Sequence, residues 1–125
     1  MLLTTEAVRF GGFSTALCRI LSLLEELDRQ KTIAGQPANL IITAGSNGQH
    51  KPGSSHYFPR FSGLDIRTRD PQGGVTSSFT SDGAKHAFVA LLTNRLGPRF
   101  LVLFEDINGP NEHIHAQLRQ GATYP

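Results

Sequence analysis

Glu112-His113-Ile114-His115 places a carboxylate and two imidazoles side by side near the C-terminus, and His56 and Asp65 supply, far upstream, the donors that this stretch lacks. Zinc favours nitrogen and oxygen ligands, and a catalytic zinc site uses three protein donors and leaves its fourth position to water. His56, Asp65 and His115 make such a set. Glu112, three residues before the last of them, is then placed to take the proton from that water. These residue types point to metal-assisted hydrolysis.

That chemistry sets demands on the backbone. In a strand, side chains alternate with period two, so His113 and His115 face one pocket while Ile114 enters the core. Taken alone, a His-x-His is no more than a polar strand face; joined to His56 and Asp65 it becomes part of a ligand set. Asp65 lies between Leu64 and Ile66, where an inward carboxylate is costly unless a cation stands beside it. Glu112 starts on the face opposite His113, so the strand must begin irregularly after Pro110-Asn111 if the carboxylate is to reach the metal's water. His50 and Ser54 lie in the small-residue loop that delivers His56. His50 reads equally as a substrate contact or as plain surface, and Ser54 as a side-chain brace for the loop or as nothing special.

The elements that must position these residues are legible from periodicity. Ser14 caps a helix from Thr15 to Gln30 with an apolar stripe of Leu17, Ile20, Leu21, Leu24 and Leu27. Glu25, Glu26, Asp28, Arg29 and Lys31 form its solvated side. Residues 39–44 read as a buried strand, 46–55 as a turn-rich loop, and 63–68 as a half-buried strand. Asp70 to Gly74 carries turn signals. A second helix is expected over 82–96, with Ala84, Ala87, Phe88, Leu91 and Leu92 inward and Gly97-Pro98 as its stop. His86 on it is an incidental, partly exposed histidine. Residues 100–104 and 113–118 complete the set as strands joined by the polar loop 105–111. Helix, strand, strand, helix, strand, strand implies an α+β domain, a small antiparallel sheet with helices packed on one face.

The totals bound the rest. A chain of 125 residues forms one domain around one core. A net charge of +2 without a basic run gives no surface to track phosphates, so nucleic acid is not an expected partner. Cys18 is the single cysteine, which excludes an internal disulfide and a thiolate zinc site. No stretch approaches the roughly 20 apolar residues that span a bilayer, and Met1 to Glu6 lacks a secretion signal's basic start and apolar run. Action at a cell wall would therefore need another route out of the cytoplasm. No Gly-x-Ser-x-Gly elbow, Rossmann fingerprint or P-loop is present.

Ser54-Ser55-His56-Tyr57-Phe58-Pro59-Arg60-Phe61-Ser62-Gly63-Leu64-Asp65 and Glu112-His113-Ile114-His115 resemble the paired motifs of the zinc peptidases. That family includes D-alanyl-D-alanine carboxypeptidases, L-alanyl-D-glutamate endolysins and the hedgehog signalling domain. Ile42-Thr43-Ala44-Gly45, Asp65-Ile66-Arg67-Thr68 and His50, six places before His56, are similar to its hedgehog branch. The resemblance implies a hedgehog-like fold, zinc bound by His56, Asp65 and His115, Glu112 as general base and His113 lining the site. It further implies a peptide substrate, such as a bacterial peptidoglycan stem peptide. The stretch from His56 to Asp65 is longer than the family's usual spacing, so the hairpin carrying it must bulge. Peptidoglycan-cleaving members carry an arginine soon after the first strand's glycine, where this chain has Ser46-Asn47-Gly48; Arg60 or Arg67 is then left to contact substrate. The alternative reading is a non-catalytic hedgehog-like domain in which zinc stiffens the fold and the exposed site recognises a partner. A metal-free binding module is the third.

Overall fold

The structure, a computed structural model, describes residues 3–4, 14–30, 32–33, 36–37, 40–44, 62–69, 79 and 81–124. In chain order its elements are β1 (Leu3–Thr4), α1 (Thr15–Gln30), β2 (Thr32–Ile33), β3 (Gln36–Pro37), β4 (Ile41–Ala44), β5 (Gly63–Arg67), α2 (Asp82–Leu96), β6 (Phe100–Glu105) and β7 (His113–Leu118). Five strands form one sheet in the order β1-β4-β5-β7-β6, with β1 parallel to β4 and the other neighbours antiparallel. β2 and β3 pair as a separate ribbon. The class is α+β, as the alternation of patterns implies. The expected loop 46–55 and the turns at 70–74 lie outside the described residues.

Both helices begin at serine caps. Ser14 Oγ accepts the Leu17 N–H at 3.0 Å and Ser81 Oγ accepts that of Ala84 at 3.1 Å, each satisfying a donor that the first helical turn leaves over. α2 ends at Gly97, whose φ of 89° is a conformation that a Cβ would oppose.

The buried stripe of α1 is Leu17, Ile20, Leu23, Leu24 and Leu27, with Leu21 only partly covered. On α2, Ala84, Phe88, Leu92 and Leu96 are buried, whereas Ala87 is exposed and Leu91 half-buried. The inward face is therefore rotated from the one expected, because it follows Phe88 and Leu92 at i and i+4 rather than the weakly apolar alanine. These side chains meet Leu64, Ile66, Ile114 and Ala116 from one face of the sheet. Each fully buried Leu, Ile or Phe contributes roughly 1.5–3 kcal/mol through the water it sheds.

Asp28 departs from its expected place on the solvated side of α1. It is buried, and its Oδ1 accepts the N–H of Leu40 at 3.0 Å, fixing the chain as it enters β4. The charge is tolerated because the buried carboxylate is hydrogen-bonded.

The other face of the sheet carries the candidate chemistry. Asp65 pairs in register with His115, which pairs in turn with Leu103, and the next row runs Arg67, His113, Glu105. Beside Asp65, the pairing of β4 slips, Ile42 lying opposite Ile66 but Ala44 opposite Asp65. Irregularities of this kind re-aim side chains at a sheet's working positions.

Candidate active site

Asp65 and His115 come together as the ligand reading requires. Directly opposed across β5 and β7, they bring Asp65 Oδ1 to 2.7 Å from His115 Nδ1. The other ring nitrogen, Nε2, lies 2.8 Å from Gln117 Oε1, and Gln117 Nε2 in turn donates to the carbonyl of Leu118 at 3.0 Å. That last bond turns the amide so that its oxygen faces the ring, and an oxygen there accepts the proton of Nε2. A neutral His115 then presents a lone pair from Nδ1 to a carboxylate oxygen. Such an approach is attractive only with a proton or a cation between the two atoms. Burial pushes the His115 pKa down, but the hydrogen bond and charge of Asp65, helped by Gln117 and by the charge of Glu105, raise it above the ordinary histidine value. Gln117 also does what a metal-bound histidine requires of its neighbour, fixing the tautomer and the ring plane.

His113 shares this face. Its Nδ1 donates to the carbonyl of Asn111 at 2.6 Å, so the proton of a neutral ring sits there and Nε2 is the atom left for chemistry. Nε2 stands 3.3 Å from Glu105 Oε1 and 3.8 Å from Asp65 Oδ1. A cavity of about 590 Å³ opens beside these groups, with Thr43, Asp65, Arg67, Arg69, Glu112 and His113 in its wall.

Glu112 is also in place but differently engaged. Its side chain has no exposed surface. Oε1 accepts from Thr68 Oγ1 and from Lys85 Nζ, each at 2.7 Å, and Oε2 accepts the Asn108 N–H at 2.8 Å, with Arg69 Nε at 3.7 Å. Burial alone would raise the Glu112 pKa; the hydrogen bonds of Lys85, Asn108 and Thr68 and the Lys85 charge outweigh it and bring the carboxyl from 4.5 to about 2. A carboxylate so stabilised accepts a proton poorly near neutral pH. The irregular start that β7 was expected to need does exist, but it turns Glu112 into the knot of the β6–β7 loop. Asp106 and Asn108 adopt positive φ there, at 50° and 65°. Asp106 Oδ2 accepts the Asn111 N–H at 2.8 Å, and a Cβ at Gly109 would strike the Asp106 carboxylate.

Of the other expected residues, Arg67 lines the cavity, whereas His50, Ser54 and the third ligand, His56, lie outside the described residues. Among the described residues no three His, Cys, Asp or Glu side chains form a metal-holding group by themselves. His86 is exposed, its ring edge-on to Phe104 at 5.3 Å.

Sequence reading passed over Lys85, Thr68, Gln117 and Glu105. Two of these had signals. Lys85 falls on the same helical stripe as Phe88 and Leu92, at i, i+3 and i+7, and a cation on a buried stripe implies a buried acid. Gln117 shares the face of His113 and His115 by simple alternation. Comparison of the chain with protein-family models, with curated proteins and with solved structures finds no match.

Proposed function

We propose that the protein is a zinc-dependent hydrolase of peptide bonds, with short peptides such as those of the bacterial cell wall as its substrate class and a fold of the hedgehog type. The observation that carries this reading is the 2.7 Å approach of Asp65 Oδ1 to His115 Nδ1, with Nε2 already committed to Gln117. It is a donor pair that a proton or a metal ion completes. Asp65, His115 and, from the segment before β5, His56 would hold the zinc, and the bound metal supplies Lewis acidity toward water and carbonyl alike.

Proton handling falls to His113 and Glu105 rather than to Glu112. His113 reaches the cavity, and its Nε2 has Glu105 Oε1 within 3.3 Å. A proton taken up at Nε2 as water attacks is stabilised by that half-exposed carboxylate and returned to the departing amine. Glu112 holds the loop that precedes His113.

The test pairs metal analysis with three substitutions. The purified chain binds one equivalent of zinc, His115→Ala loses it, and Glu105→Gln and His113→Ala keep it while losing turnover of peptides. Unchanged zinc in His115→Ala would overturn the metal site. Full turnover by Glu105→Gln would return the base to Glu112. A chain that binds zinc, gains stability from it and leaves a panel of wall peptides uncut is instead the non-catalytic, partner-recognising domain.

A further inference from the structure

A second cavity, of about 200 Å³, lies on the helix side of the sheet, away from Asp65 and His115. It is smaller than the roughly 300–1,000 Å³ of pockets that take a drug-sized ligand, and it suits a small ion with a few waters. Ser62 borders it. The ladder between β5 and β7 runs one residue past β5, the Ser62 carbonyl accepting the Leu118 N–H at 3.1 Å, so alternation turns the Ser62 side chain the same way as Leu64 and Ile66, toward α1. Ser62 is 3% exposed, and its Oγ is shielded from water without a hydrogen-bond partner. Such a group is rare in native proteins and calls for a partner. A serine Oγ steps among three rotamers and its proton swings about the C–O bond, so the hydroxyl can donate to an occupant of the space beside it.

The rest of the wall is electropositive. Ala16 brings the first turn of α1, where Ser14 takes the N–H groups of Leu17 and Cys18 while those of Thr15 and Ala16 have no carbonyl a turn behind them. That turn carries no acid, so the partial positive charge of the helix N-terminus is uncompensated. On the other side stands Arg119, its Nε donating to the Pro98 carbonyl at 3.0 Å and its guanidinium meeting no carboxylate among the described residues. The Ala122 N–H, bonded to the Arg119 carbonyl at 3.0 Å, and Gly121, at a φ of 82°, close the turn that forms this wall. Among the described residues no aspartate or glutamate lines the cavity. We infer that the cavity binds a phosphate-type oxyanion, held by Ser62 Oγ, the Arg119 guanidinium and the amides that open α1. Helix N-termini attract anions in general; an ion with several oxygens accepts from all three sides at once, which separates phosphate from chloride. The site is independent of the zinc chemistry on the outer face.

The test is a titration of the full chain, dialysed free of phosphate, with inorganic phosphate, and with chloride at matched ionic strength as control. Amide resonances are followed by NMR and the thermal midpoint by calorimetry. Phosphate shifts the Thr15 and Ala16 amides and raises the midpoint; chloride does neither. Ser62→Ala weakens phosphate binding by about 10-fold or more, the range of a hydrogen bond to a charged group. The same variant keeps or raises the midpoint in phosphate-free buffer, because the hydroxyl it removes has no partner within the protein. A merely structural serine would lower it. Arg119→Gln weakens binding and reduces its dependence on salt. Glycerol phosphate serves as a second probe: its binding makes the occupant the end of a phosphate ester, its exclusion makes the occupant the free ion, and both support the site. Equal responses to phosphate and chloride, shifts confined to the cavity beside Asp65, unaltered phosphate binding in Ser62→Ala, or a lowered midpoint of that variant without phosphate would overturn the inference.

Discussion

Two acidic residues near the same cavity live in opposite circumstances. Glu112 is closed on every side: a lysine, a hydroxyl and a backbone amide meet its oxygens, and its proton is held off down to about pH 2. Asp65 lies on the outer face of the sheet beside two imidazoles, close enough to His115 that a proton or a metal must mediate between them. A buried polar group whose hydrogen bonds are all made contributes to one fixed conformation. Asp65, by contrast, forms part of the cavity wall. Packing makes Glu112 a structural acid, although its spacing from His115 suggested a catalytic one.

The contrast can be broken most sharply at Glu112 itself. Glu112→Ala leaves Lys85 as a buried, uncompensated charge, and the expected loss is about 3–5 kcal/mol of unfolding free energy, read from urea midpoints. Retained stability would mean that the network is not what holds the β6–β7 loop. Acid unfolding examines the same pair without mutation. Because the folded pKa lies below the unfolded one, the contribution of Glu112 is complete above about pH 4.5 and is lost as the pH falls toward about 2. It amounts to on the order of 3 kcal/mol. Glu112→Ala should flatten the stability profile across that window.

On the outer face the expected effects reverse in kind. Gln117→Leu should weaken zinc binding about 10–100-fold, measured by competition with a chelating dye, because the ring of His115 loses the partner that orients it. Its unfolding free energy should move by less than about 1 kcal/mol. A large stability loss without any change in metal affinity would erase the contrast between the two faces. Smallest is Thr68→Val, which deletes one of the three hydrogen bonds to Glu112 at nearly constant volume and should cost about 1 kcal/mol.

Much of this architecture could be read from pattern. The bounds of α1, α2 and β7, the serine cap of α1 and the α+β class follow from periodicity and turn chemistry, and the meeting of Asp65 with His115 follows from strand alternation once β5 and β7 are neighbours. Buried charges are harder to read: Asp28 is assigned to solvent and Lys85 passed over, although Lys85 lies on the buried stripe of α2, because a charge on a helix is given to solvent unless its partner is known, and the partners lie 12 and 27 residues away along the chain. β1, β2 and β3, at two residues each, are too short to show any alternation. The role of Glu112 was hidden for the same reason as that of Lys85: spacing places a carboxylate on the backbone, while its chemistry is decided by what packs against it.

The Thr68–Glu112–Lys85 junction draws on three separate stretches of chain, the end of β5, the first turn of α2 and the approach to β7. Such a junction constrains heredity as well as shape. Any descendant that abandons the lysine gains by abandoning the glutamate too, so the two positions should drift only in concert, and a paired replacement by apolar residues of matching bulk is the one route by which both could vanish without unfolding the chain.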